Sequence, residues 1–570
     1  MNLKRVLLSC SVALAFIFFF TACTKRVDQD FAVFRTPVGE QIWYHLQDPN
    51  LLSGGSESIC AQEALTDFYK RRNYREAWTI PQANSLVEVL SRAEMEGLRP
   101  QDYHLSSIEK LLALLRTDIQ KGLVVAPDQL ANLDLLLTDA FLIYGSHLLF
   151  GRVNPESIQP MWVAHQPNVD LAAVLETAIE SDNIAGTLAK LEPVQIGYRR
   201  LCEALMYHQE LASRGGWPTI SDGPFLKRGD HGPRVAALRK RLILGRDLDA
   251  TTWKDPQMFN EGLEQAVKRF QLRHGLKPNG TMDAATRAEL NVSVKRRIEQ
   301  LELNLERWRW LPQDLGRCYI LVNIPAFKLE VVENGASVLA MRVVVGTIND
   351  PTPILNATME YLFLNPYWNV PRDMVVKEML PRIKSDPSYL TRKNYRVFDG
   401  LGPEAREVDP QTIDWSTITP DNFPYRLRQE PGPFNGMGHV KFIFTNKFNV
   451  YLHDTPGRHL FEKTPRAFSH GCIRIEQPID LAVYLLGKDP QWNRDALLRK
   501  LNEKVTHTVL LPEKLPIYLV YWTVWADLDG TIQFRPDIYG WDALLLGAIR
   551  APLSTKEVVD TRNVTKHKGS

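Results

Sequence analysis

The apolar residues of this 570-residue chain change their spacing near Cys318, and that change divides what the chain can fold into. Before it, apolar side chains recur every three or four positions, the period of helices buried on one face. Leu86, Val89, Leu90 and Ala93 form one stripe, closed by Gly97. Leu133, Leu136, Leu137, Ala140, Phe141, Tyr144 and Leu148 form a longer one that ends before Gly151, and Trp78 and Trp162 read as further core residues. After Cys318 the apolar runs are short and rich in β-branched and aromatic residues: 319–322, 327–332, 338–345, 359–364, 440–444, 448–452, 517–524 and 532–534. Asn334-Gly335 predicts a tight hairpin, and Thr445-Asn446-Lys447 predicts a second. A chain this long exceeds one core. The expected architecture is therefore multidomain α+β, with a helical scaffold over 61–215, a β-rich domain (sandwich or barrel) over 318–545, and a tail over 546–570. Between about 366 and 432 the β pattern lapses into a Pro-, Arg- and Asp-rich insertion with one helical piece, 374–383, which predicts a lid.

Between these halves, residues 213–224 are a Gly/Pro/Ser linker. Residues 226–292 then carry three short helical patterns: Val235, Leu238 and Leu242 on one face, Ala266, Val267 and Phe270 on another, and Gly280 at a turn before the third. This predicts a small three-helix bundle. It is similar to the type 1 peptidoglycan-binding domain, some members of which act only as spacers. Residues 292–313 predict an amphipathic helix leading into the β-rich domain.

The N-terminus reads as an export signal. Lys4 and Arg5 precede an apolar run over 6–20, too short to span a bilayer comfortably, and then Thr21-Ala22-Cys23. The ending resembles a bacterial lipobox, with Phe20 where Leu is usual, which implies cleavage after residue 22 and lipid on Cys23. Thr24, where Asp would signal inner-membrane retention, implies the outer membrane. Residues 24–60 read as a tether with a first element, and no later run is read as a membrane span. The rest of the chain is thereby placed in the periplasm. The remaining cysteines, Cys60, Cys202, Cys318 and Cys472, form no CxxC pair, which argues against a zinc site; the first three read as buried or incidental, with a disulfide left open. A net charge of +2 without basic tracts disfavours nucleic acid as a partner, and nothing in the pattern fixes an oligomeric state.

Chemistry concentrates at Cys472. A thiol attacks well only as thiolate and needs a base, and His453 lies 472 − 453 = 19 positions upstream, after an apolar run. Gly471 permits a sharp turn beside the nucleophile. A cysteine with two histidines alone is equally compatible with a buried thiol. The wider pattern Tyr451-Leu452-His453-Asp454-Thr455-Pro456, Arg466-Ala467-Phe468-Ser469-His470-Gly471-Cys472-Ile473-Arg474 closely resembles the YkuD-type L,D-transpeptidases, as do Pro431 to Gly438, Lys441-Phe442, Tyr521-Trp522-Thr523 and Asp537 to Gly540. That resemblance implies Cys472 as nucleophile and His453 as its base. It implies the backbone amides of His470, Gly471 and Cys472 as an oxyanion hole, and Tyr451, Ser469 and Arg474 at the substrate. Asp454 orients His453 or caps a loop, the loop being favoured. The implied reaction forms 3→3 cross-links between peptidoglycan stem peptides through a thioester, with loss of D-Ala and no metal or organic cofactor. Hydrolysis or D-amino-acid exchange at the same site, and a non-catalytic wall-binding lipoprotein, are the alternatives. A papain-like arrangement, with cysteine early on a helix, does not match.

Overall fold

A computed structural model describes residues 36–48, 58–164, 167–250, 254–400, 402 and 404–553. Cys23, the export signal and the end of the tail lie outside these residues.

The helical region is built around Pro127–Phe150, whose residues 131–150 are all buried. By length and composition this helix could cross a membrane, contrary to the sequence reading, but its apolar window is entirely covered by protein. Helices Pro37–Gln47, Gln62–Arg71, Ile80–Ser91, Leu105–Gln120 and Leu171–Glu180 surround it. Its interior acids are satisfied by backbone: Asp134 accepts from the Ala77 and Trp78 amides and the Tyr69 hydroxyl, and Asp139 from the Cys60 and Ala61 amides and His104. The tether expected over 24–60 is therefore corrected, because Pro37–Gln47 and Ile59-Cys60 belong to this core.

The bundle folds as expected, with helices Pro233–Leu244, Glu261–Arg273 and Ala284–Leu290 around Val235, Leu238, Leu242, Val267 and Phe270. Val294–Arg309 is more than a connector. It packs against Ile196–Ser213, so that Leu201, Leu205, Leu301, Leu305 and Trp308 join Trp522, Val524 and Phe534 in one core. The boundary at 215 thus cuts an element out of a core shared with the β-rich domain.

That domain has strands β1 (Cys318–Asn323), β2 (Lys328–Glu333), β3 (Ala336–Gly346), β4 (Leu355–Leu364), β5 (Trp368–Asn369), β6 (Tyr395–Asp399), β7 (Arg406–Val408), β8 (Tyr425–Gln429), β9 (Val440–Phe444), β10 (Leu452–His453), β11 (Ala467–Ser469), β12 (Ile473–Ile475), β13 (His507–Val520), β14 (Val524–Ala526) and β15 (Ile532–Phe534). The main sheet runs β11-β3-β12-β10-β9-β4-β13-β1-β2, and a further β2–β3 pairing closes it on itself. The Asn334-Gly335 turn has positive φ at both residues (51° and 79°), which matches its hairpin to the strand twist. The second predicted hairpin is shorter than expected. Asn446 bonds the carbonyls of Phe444 and Val450 and the amides of Phe448 and Val450, taking the groups a ladder would have used, so the strand expected over 448–452 shrinks to β10. Helix Trp541–Arg550 buries Leu545 and Ile549, so the tail does not begin at 546.

The insertion, expected to be a lid, is structured. Its β5-β8-β6-β7 sheet and a core of Val375, Ile383, Leu390, Val397, Trp415 and Leu427 replace the expected lapse of β pattern. Its helical stretch contains a wide π turn, Val375–Met379, before Leu380–Ser385. Pro381 explains that turn, since it has no N–H for the carbonyl four residues back.

Candidate active site

Register places the site. His453 pairs with Lys441 of β9 on one side and with Arg474 of β12 on the other, while Leu452 pairs with Phe442 and Ile473 and faces the core. Because side chains alternate along a strand, Lys441, His453 and Arg474 form one row on the opposite face, and Tyr451 and Cys472, two residues earlier, share that face. The Ile473 amide bonds the Tyr451 carbonyl at 3.1 Å, which sets Cys472 beside Tyr451. β10 and β12 run parallel, so the chain between them must cross over, and that crossover occupies the spacing between His453 and Cys472.

His453 is 3% exposed and its Nδ1 lies 2.5 Å from the Asp454 carbonyl oxygen. A carbonyl only accepts, so Nδ1 carries the proton and Nε2 is left as the acceptor. Burial, then Arg474 and Lys441, lower the pKa of His453 to about 3 against the pull of the Asp454 carbonyl. Its imidazole is therefore neutral, with Nε2 as its free acceptor. The Asp454 carboxylate accepts from the amides of His439 (2.8 Å) and Thr455 (2.7 Å), so it caps the loop, as favoured. Gly438, at φ 60°, is required there, since a Cβ would stand 2.3 Å from that carboxylate.

Burial raises the Cys472 pKa, and the Tyr451 amide and hydroxyl, Lys441 and Arg474 work against that rise. The Lys441 ammonium sits 3.7 Å from the Tyr451 ring centroid. Neither Lys441 nor Arg474 has a carboxylate partner among the described residues, and the buried Arg474 Nε has no hydrogen-bond acceptor there. Two uncompensated cations thus stabilise negative charge at Cys472.

The segment before the nucleophile is a tight turn with Gly471 at φ 99°. Among the described residues the amides of His470, Gly471 and Cys472 donate to no protein acceptor. Ser469, expected at the substrate, is corrected: it is 2% exposed and its hydroxyl donates to the Cys472 carbonyl at 2.5 Å, closing the turn. His470 is exposed and its Nε2 meets Glu378 of the lid at 2.6 Å. Lys441, Glu378 and the loop 346–352 behind Gly471 were not singled out by sequence as site residues. For Lys441 the signal was a cation inside an otherwise apolar strand. Cys60, Cys202, Cys318 and Cys472 are all free thiols.

Residues 317–494 match the L,D-transpeptidase catalytic domain (YkuD), residues 63–205 a "Scaffold domain", and residues 231–290 a "Putative peptidoglycan binding domain". A curated relative from Haemophilus influenzae, named "Putative L,D-transpeptidase", is 37% identical over 257 residues, which is 45% of this chain and 50% of the relative. The chain thus spans about half the length of the curated relative it matches. Similar solved structures include an L,D-transpeptidase from Xylanimonas cellulosilytica (15% identity, TM-score 0.17, covering 52% of this chain and 99% of that one). Another is from Stackebrandtia nassauensis (12% identity, TM-score 0.20, covering 53% and 96%).

Proposed function

We propose, from the premise that the chain carries a catalytic domain of the YkuD L,D-transpeptidase family, that Cys472 forms and transfers an acyl group in peptidoglycan, making 3→3 cross-links. The observation that carries this reading is the row of His453 between two unpaired cations, with Cys472 and Tyr451 beside it on the same face. Cys472 sulfur attacks the carbonyl carbon of the third stem residue while Nε2 of His453 takes the thiol proton. The oxyanion forms against the amides of His470, Gly471 and Cys472. The bond to D-Ala breaks, and D-Ala leaves with the proton from His453. An amine of a second stem then attacks the thioester, gives its proton to His453, and releases the thiolate. Arg474 holds a stem carboxylate. Water in place of the amine would make the product a tripeptide, and a D-amino acid would give exchange.

The bundle over 226–292 supports a wall partner. The basic residues, apolar run and Cys23 support a lipid-anchored periplasmic location, with the outer membrane favoured. Purified protein mixed with tetrapeptide-bearing muropeptides should yield dimers lacking D-Ala, read by mass spectrometry, and Cys472→Ala should abolish them. Undiminished dimers from that variant would overturn the reading. Tripeptide monomers as the sole product would favour hydrolysis.

A further inference from the structure

We infer that Thr352 is a positioning residue that aims the Cys472 amide at the developing oxyanion. The inference rests on the reading of Cys472 as an acyl-forming nucleophile. Thr352 is fully buried, and its hydroxyl is held between two backbone groups whose roles cannot be exchanged. The Gly346 amide donates to Thr352 Oγ1 at 2.9 Å, and that oxygen donates to the Gly471 carbonyl at 2.8 Å. A trans peptide is planar with its C=O and N–H pointing opposite ways. Pulling the Gly471 carbonyl into the protein therefore turns the Cys472 N–H outward. Gly471 lies in the left-handed region, where glycine has little preference of its own, so the peptide plane needs an external hold.

The hold is itself braced. The Tyr539 hydroxyl donates to the Gly346 carbonyl at 2.8 Å and accepts from the Thr352 amide at 3.3 Å. The Thr347 amide bonds the Ser469 carbonyl at 2.9 Å, tying the same loop to the other side of the turn. Gly346 admits no side chain, since a Cβ would stand 2.1 Å from the Asp350 carbonyl oxygen.

Two reactions of Cys472 separate aim from reactivity. Acylation by a tetrapeptide stem develops an oxyanion, whereas alkylation by iodoacetamide displaces iodide and develops none at an amide hole. In the full chain, Thr352→Val should slow acyl-enzyme formation in single turnover at least tenfold, with alkylation within twofold of wild type. Thr352→Ser should restore acylation to within about threefold. Tyr539→Phe, which keeps the ring and removes the brace, should slow acylation more than alkylation and serves if Thr352→Val does not fold. Wild-type acylation rates in Thr352→Val, or parallel losses of both reactions in Thr352→Val and Tyr539→Phe, would overturn the inference. Failure of the wild-type protein itself to acylate would instead overturn the proposed function.

Discussion

His453 is kept neutral because its charged form is doubly disfavoured: the ring is buried, and Arg474 and Lys441 flank it. The shift is downward, so the protonation that disables the base occurs near pH 3 rather than near the solvated value of about 6.5. Cys472 acylation, followed from pH 4.5 to 7.5, should show no acid limb centred near 6.5. A limb there would mean a solvated imidazole. The same shift sets a stability term. The unfolded chain gains a proton below about pH 6.5 and the folded one does not, so this residue's contribution is complete above 6.5 and falls by about 2 kcal/mol by pH 5. At this scale the pair was legible only through the wider pattern from Tyr451 to Arg474, since a cysteine with two histidines is equally compatible with a buried thiol. The sequence did not carry Lys441 or Thr352. Their roles depend on strand register and on a turn closing over a buried loop; Lys441 leaves only the trace of a cation in an apolar strand, and Thr352 leaves none. Ser469 was misassigned for the same reason, since a hydroxyl serves a backbone carbonyl as readily as a ligand.

The lid holds the catalytic domain through a contact distinct from its own core. Glu378 sits in the π turn and reaches His470, with both side chains roughly 40–50% exposed. Such a pair contributes less than about 1 kcal/mol, enough to favour this docking without fixing it. Glu378→Ala should therefore raise amide exchange over 372–385 by no more than about fivefold and leave the main unfolding transition in place. Ile383→Ala, which removes a fully buried side chain of the lid core, should instead cost about 2–5 kcal/mol and unfold the lid as a unit. Equal exchange in Glu378→Ala and wild type would show that this contact does not hold the lid. The lid's helical piece was legible from its sequence, but its strands were not. β6, β7 and β8 span three to five residues with Arg396, Arg406, Arg426 and Arg428 on them, and such short charged runs read as loop. Conversely, the short β-branched and aromatic runs of β1 to β3 and the Asn-Gly turn were strong enough to place those strands within a residue or two.

Across the whole molecule, buried polar contacts connect the helix Val294–Arg309 to the nucleophile. Asn304 bonds both the amide and the hydroxyl of Thr523, and Asp542 pairs with Arg307 at 2.7 Å and accepts from Thr523. Asp537 accepts from the Asp542 amide and from the Tyr521 hydroxyl, which in turn accepts from the Tyr539 amide. Tyr539 then braces the loop of Thr352. On the scaffold side, Met161 and Val163 exchange backbone bonds with Ile354, two residues further on. None of this was visible in a domain-by-domain reading, because hydrophobic periodicity marks which face of an element is buried and not what buries it. The link is tested at its most isolated ion pair. Arg307 and Asp542 are 1% and 0% exposed, so truncating the acid leaves a desolvated guanidinium without its counter-charge. Asp542→Ala should cost about 3–5 kcal/mol in chemical denaturation. Asp542→Asn keeps an acceptor for Thr523 and Arg307 and should cost less. Because Asp537 also holds the start of the last helix through the Trp541 and Asp542 amides, the loss should spread to the strands around Tyr521 rather than stay at the terminus. A loss below about 1 kcal/mol in Asp542→Ala would mean that water reaches Arg307 and that this ion pair does not couple the helix to the active-site loop.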